Sequence, residues 1–179
     1  IGIQMRVDDG SGLYFDEYAG VNTGYDNTVI NCEEVGIKIR ATSTVHNNTV
    51  VVDSSGATGI EVTTVRNATG PTVENNTVSH AGTVAGFYQH DNVGTVSKTI
   101  LQNNIFYSVA GAGNGIWVHD QDGTASDYIT ENYNDVFGWS EADDFVDDDA
   151  AITAGTYTIL LDPLFRSTTD FRLQQTSPA

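Results

Sequence analysis

With 179 residues, seven Lys and Arg against 24 Asp and Glu, and a formal net charge of −17, the chain is long enough to bury one domain's core and too acidic to favour a phosphate backbone or an anionic lipid surface. No apolar run reaches the roughly 18 residues of a membrane helix, and the single cysteine, Cys32, leaves no internal disulfide. Expectations are no nucleic-acid partner, no membrane insertion, and an extracellular or cell-surface location suggested by few Lys, many Asp and abundant Gly, Asn and Thr; Cys32 reads as a small buried hydrophobe.

From Ile1 the chain opens on a regular pattern with no leader before it, which predicts a mature product or excised piece starting in mid-turn. GIQM at Gly2 precedes an irregular stretch, 8–24, then DNTV around Asn27, GIKI at Gly36, NNTV around Asn48 and GIEV at Gly59. After an irregular 63–71 come NNTV around Asn76 and GFYQ at Gly86; after 91–98, NNIF around Asn104 and GIWV at Gly115; after 120–128, YNDV around Asn134. The asparagines stand 21, 28, 28 and 30 residues apart, and two places beyond each follows Val29, Val50, Val78, Phe106 or Val136.

A repeat of this length, rich in β-branched residues and without a helical apolar stripe, predicts an all-β parallel solenoid of about five turns. The asparagines occupy a tight corner in every turn, where their amides bond up the stack as an asparagine ladder. Sequons occur at Asn47, Asn67 and Asn75; two lie in the repeat and are assigned to structure rather than glycosylation. From Ser140 the repeat lapses around DDFVDDD, which reads as a solvated acidic loop or a calcium-binding loop. YTILLDPLF and DFRL, within 157–173, read as a last strand and an apolar seal over strand edges. The expected division is 1–139 for the turns and 140–179 for the acidic loop and closing segment of the same domain.

The alternation of xNNTV with GIxV over roughly residues 1–140 resembles the right-handed parallel β-helix proteins of the pectin-lyase-like group. The ending, Asp162 to Ala179, resembles the C-terminal close of many secreted members. The resemblance implies a right-handed parallel β-helix with a substrate groove on the sheet of the GIxV segments, and it leaves the activity open.

Strand alternation sends the residues one and three places after each glycine inward; all are apolar except Gln89, which needs partners inside. Outward go Gln4, Lys38, Glu61, Tyr88 and Trp117 in one column and Arg6, Arg40, Thr63, His90 and His119 in the next. Arg6, Lys38 and Arg40 form a basic patch suited to an anionic sugar, while Tyr88 and Trp117 suit the C–H faces of sugar rings. Glu61 lies between Lys38 and Tyr88 in the same strip as a further substrate contact.

Two functions compete, with a secreted polysaccharide-active enzyme as the first expectation and a binding or structural module as the alternative. A polysaccharide lyase or epimerase would use His90 or His119 as base or acid with Asp120 in support, Lys38 and Arg40 neutralising the sugar carboxylate and Tyr88 with Trp117 stacking. A non-catalytic carbohydrate-binding or structural surface module, such as an adhesin, stalk or fibre segment, would need no complete catalytic signature, and none is present. GFYQHD resembles the Gly-Phe-Asp-Pro-His-Asp segment of mannuronan epimerase-like proteins, with Gln89 near the place of the essential acid and no proline. The ordered aspartates and Gly-His-Gly of polygalacturonase-like proteins are not matched. No cofactor is required by these residues; calcium is an option at DQDG, Asp120 to Gly123, with Asp127 beyond it. Trp139 and Tyr133 read as packing the last turn, and His46 and His80 as structural or solvated.

Overall fold

The computed structural model describes residues 4–6, 10–15, 22–40, 42–53, 56–63, 70–90, 98–119, 129–140, 144–147, 154–167 and 169–179, with the side chains of 4–6 and 147 left aside. Three parallel sheets run along the molecule. The first holds β1 (Gln4–Arg6), β4 (Thr28–Ile30), β7 (Thr49–Val52), β10 (Thr77–His80), β13 (Ile105–Ser108) and β16 (Asp135–Phe137). The second holds β2 (Ser11–Phe15), β5 (Val35–Ile39), β8 (Thr58–Val62), β11 (Ala85–His90), β14 (Asn114–His119) and β17 (Phe145–Asp147). The third holds β3 (Asn22–Tyr25), β6 (Ser43–His46), β9 (Thr72–Glu74), β12 (Thr99–Gln102) and β15 (Ile129–Asn132). The chain visits the sheets in that order from β1 to β15 and begins another circuit with β16 and β17, making a right-handed parallel β-helix. A hairpin of β18 (Phe165–Ser167) and β19 (Asp170–Leu173) follows.

Equivalent residues pile into buried columns. Val29, Val50, Val78, Phe106 and Val136 form one from the first sheet, each 0 % exposed, and Ile37, Ile60, Phe87 and Ile116 form another from the second. Burying each such side chain contributes about 1.5–3 kcal/mol, so no turn is stable without its neighbours. The glycines of the second sheet have a steric cause. A Cβ on Gly12, Gly36 or Gly59 would stand 2.6, 2.6 or 2.5 Å from the next glycine's carbonyl oxygen and would collide with a valine of the first-sheet column.

Between third and first sheets each turn makes its corner through one residue with positive φ: Asp26, Asn47, Asn75, Asn103 and Tyr133, all between 55° and 59°. The ladder residue follows immediately. Nδ2 of Asn27, Asn48, Asn76 and Asn104 donates to Oδ1 of the asparagine one turn on at 2.9, 2.9, 3.0 and 2.9 Å. The backbone N–H of each donates to the same oxygen. At the far end Asn134 Nδ2 donates to Glu131 Oε1 at 2.7 Å, and its N–H donates to Thr158 Oγ1 at 3.1 Å. Tyr157, with φ 62°, and Thr158 therefore repeat the corner and ladder positions once more, and Ile159 pairs with Asp135 as a parallel bridge.

Three sequence expectations are corrected. GIQM does not belong to the glycine column, because β1 pairs with β4, setting Met5 beside Val29; the first member of that column is Gly12, with Leu13 beside Ile37. The stretch 8–24, expected to be irregular, accordingly contains β2 and the start of β3. In the acidic run, Phe145–Asp147 is a strand that pairs with β14 rather than part of a loop without repeat.

Candidate functional site

The outward columns of the second sheet converge as the alternation predicts over four turns. Lys38 pairs with Glu61, Glu61 with Tyr88, and Tyr88 with Trp117, while His90 pairs with His119. Gln4 and Arg6 leave this surface, since they lie on the first sheet, and Tyr14 takes the place beside Lys38. The repeat SGLYF carried that signal: glycine, then apolar residues one and three places on.

The rings make one continuous cluster. Tyr88 and Trp117 have centroids 4.6 Å apart with planes tilted by 34°, and Tyr88 and His90 lie 4.4 Å apart. His90 and His119 meet edge to face at 6.0 Å, and Trp117 and His119 at 6.5 Å. All four side chains are half-buried. Because Tyr88 and Trp117 face one another along the stack, part of each ring face is covered by the other.

One cation on this face already has an acid partner. Lys38 Nζ lies 3.0 Å from Glu61 Oε1, and Glu61 is 7 % exposed. Arg40 donates through Nη1 to the Tyr14 hydroxyl at 3.0 Å, and its backbone N–H donates to Phe15 O at 2.8 Å. The basic patch expected for a sugar carboxylate thus loses Arg6 and finds Lys38 already paired with an acid.

Beneath the histidine column, Gln89 is fully buried, as its inward position requires, and it has partners: Thr99 Oγ1 donates to its Oε1 at 2.8 Å and its Nε2 donates to His90 O at 3.2 Å. These bonds pin the strand end that carries His90. Asp120, Asp91, the DQDG segment, Asp127 and Asn67 lie outside the described residues. Among the described residues no group of three or more His, Cys, Asp or Glu is arranged to hold a metal ion.

Other polar groups escaped the sequence reading. Asp135, on the outer side of the first sheet, is 3 % exposed, and neither carboxylate oxygen has a hydrogen-bond partner of good geometry. Burial is the main cause that raises it from 3.8 to about 7; Asp162 adds repulsion and a weak contact with the Leu161 backbone opposes it. His80 is fully buried, with Nε2 donating to Ala57 O at 2.9 Å, and burial lowers its pKa. Trp139 is buried at 7 % and packs on His80, with centroids at 6.3 Å, whereas Tyr133 is 53 % exposed rather than packed. His46 stacks on Tyr25 at 5.3 Å. Comparison of the chain with family models, curated proteins and solved structures gave no match.

Proposed function

We propose that the protein is a carbohydrate-binding module of an extracellular or cell-surface protein, holding a polysaccharide along the outer face of the second sheet. The observation that carries this reading is the register that sets Tyr88 beside Trp117 and His90 beside His119, giving an amphipathic strip of rings parallel to the helix axis. Sugar C–H groups pack on the exposed ring surface, and sugar hydroxyls bond the phenol, indole and imidazole edges. Affinity electrophoresis in gels containing polygalacturonate, alginate or a neutral glucan tests it. Trp117→Ala and Tyr88→Ala should each weaken retardation several-fold, and unchanged mobility in every gel would remove this face from carbohydrate binding.

The adjacent imidazoles favour a second reading, a lyase or epimerase acting on an acidic polysaccharide. His90 or His119 would take or return the sugar C5 proton, with Arg40 and Lys38 at the carboxylate. Lys38 must then share its charge with Glu61, which counts against strong uronate recognition. Absorbance of an unsaturated uronate product reports the lyase activity, and proton exchange into the sugar from deuterated water reports the epimerase. Loss of either signal in His90→Ala together with His119→Ala supports catalysis, whereas binding without either signal supports the module.

A further inference from the structure

The corner column runs along the edge between the third and first sheets, away from the second-sheet face. Its residues, Asp26, Asn47, Asn75, Asn103, Tyr133 and Tyr157, all adopt left-handed backbone with φ from 55° to 62°. Asn and Asp tolerate that region because their short side chains bond locally; a tyrosine gains no such bond and is disfavoured there. Nothing in the backbone asks for an aromatic, since Asn103 and Tyr133 have φ of 55° and 59° and each precedes a ladder asparagine.

Burial does not explain the two tyrosines either. They stack on each other with centroids 5.0 Å apart and planes 18° from parallel, yet remain 53 % and 70 % exposed. Backbone strain retained without burial points to use of the side chain. Each ring turns one face to the other and keeps its outer face and edges in solvent, and the exposed amides of Asn47, Asn75 and Asn103 continue the same line. Such amides both donate to and accept from hydroxyl groups. Asp26, at the far end, is the one ionisable acid in the column, and no Lys, Arg or His stands in it.

We propose that this edge is a second carbohydrate site, which takes an uncharged polysaccharide along the helix axis with Tyr133 and Tyr157 packing against its sugar rings. Pyranose C–H groups pack on the outer faces and edges of the phenol rings, and the asparagine amides bond the hydroxyls of sugars further along the chain. An anionic polymer finds no cation in the column and meets a protein of net charge −17. The site is independent of the second-sheet reading and can stand if that reading fails.

The test uses the full chain with soluble neutral polymers, namely a glucan, a xylan and a galactomannan, and with alginate as the anionic control. Wild type should retard in at least one neutral gel. Tyr133→Asn with Tyr157→Asn should weaken that binding tenfold or more while leaving Tm unchanged or higher, because Asn suits the left-handed corner. Tyr157→Phe should bind within about twofold of wild type. Tyr88→Ala should not affect this site, which separates it from the second sheet. The proposal is overturned if no neutral polymer binds wild type at millimolar sugar, if the double asparagine variant binds unchanged, or if that variant loses stability without losing binding in its folded fraction.

Discussion

Gly36 lies directly under Val50: a Cβ built on the glycine would collide with Val50 Cγ1 and stand 2.6 Å from the Gly59 carbonyl oxygen. Neither neighbour has room to retreat, since Val50 is fully buried and Gly59 is held in the sheet. Gly36→Ala should therefore destabilise the protein by about 1–3 kcal/mol, the range for forced overpacking of a core. Gly56→Ala is the control: nothing lies within 4 Å of its Cβ position, so it should be neutral or slightly stabilising. Urea midpoints of the two variants check both outcomes.

Removing one rung from the asparagine stack should be more damaging than its single side chain suggests. Asn76 accepts from the Asn48 amide and Nδ2 at 3.0 and 2.9 Å, and donates to Val45 O and Asn104 Oδ1, both at 3.0 Å. Asn76→Ala strands buried donors and acceptors on both sides and should cost about 3 kcal/mol or more. The neighbouring Asn75 is exposed, so Asn75→Ala should lose only about 1 kcal/mol, from its left-handed backbone. Equal losses for the two would refute the ladder's energetic role.

Stability should fall on raising the pH through the neutral range. Asp135 holds its proton to about pH 7 when folded, mainly because it is buried, whereas the unfolded chain releases it near pH 4. Its contribution is fully present below pH 4 and is lost as pH rises to about 7. Asp135→Asn should remove much of this loss, gaining of order 2 kcal/mol relative to wild type at pH 8. Urea unfolding of both proteins at pH 5 and pH 8 measures it. Hydrogen exchange should speed first at the Val136 and Ile159 amides, which bond Ile159 O and Asn134 O.

His80 should act in the opposite direction. Burial lowers its folded pKa, so stability is present above the ordinary value near 6.5 and is lost as pH falls through the folded pKa. Because Ala57 O can only accept, Nε2 carries the proton in the neutral ring. Nitrogen NMR at pH 6.5 should show that neutral tautomer, and a doubly protonated His80 in the folded protein would contradict the assignment.

Cys32 is fully buried, and burial is the main cause that raises its thiol pKa. It should resist alkylation in native buffer at pH 8 and react within minutes in 6 M guanidinium, a contrast that mass spectrometry measures directly.

The ladder and the register of Tyr88 with Trp117 were legible in the sequence because position in a repeat becomes position in space once turns stack. Letter similarity misled where coil length should have ruled. GIQM looks like GIKI, but Gly12 precedes Gly36 by 24 residues and Gly36 precedes Gly59 by 23, a spacing that Gly2 breaks. The extra corner at Tyr157 was hidden because Thr158 replaces the asparagine and bonds through a hydroxyl. Phe145–Asp147 was masked by flanking acids, since two apolar residues are too few to show alternation. The pairing of Lys38 with Glu61 follows from adjacent turns and was readable; that Lys38 is already engaged by an acid needed the 3.0 Å separation.

The carboxamides of the ladder all point the same way, each turning its N–H end toward the C-terminal coil. Their dipoles add along the axis and leave a partial positive pole at Asn134 Nδ2, which Glu131 meets with its carboxylate. An acid only 8 % exposed is thereby held by neutral donors, Asn134, Thr158 and the Gly155 amide. A solenoid of this polarity has two chemically different ends: new coils could be added at one by repeating asparagine, while the other is closed by an anion.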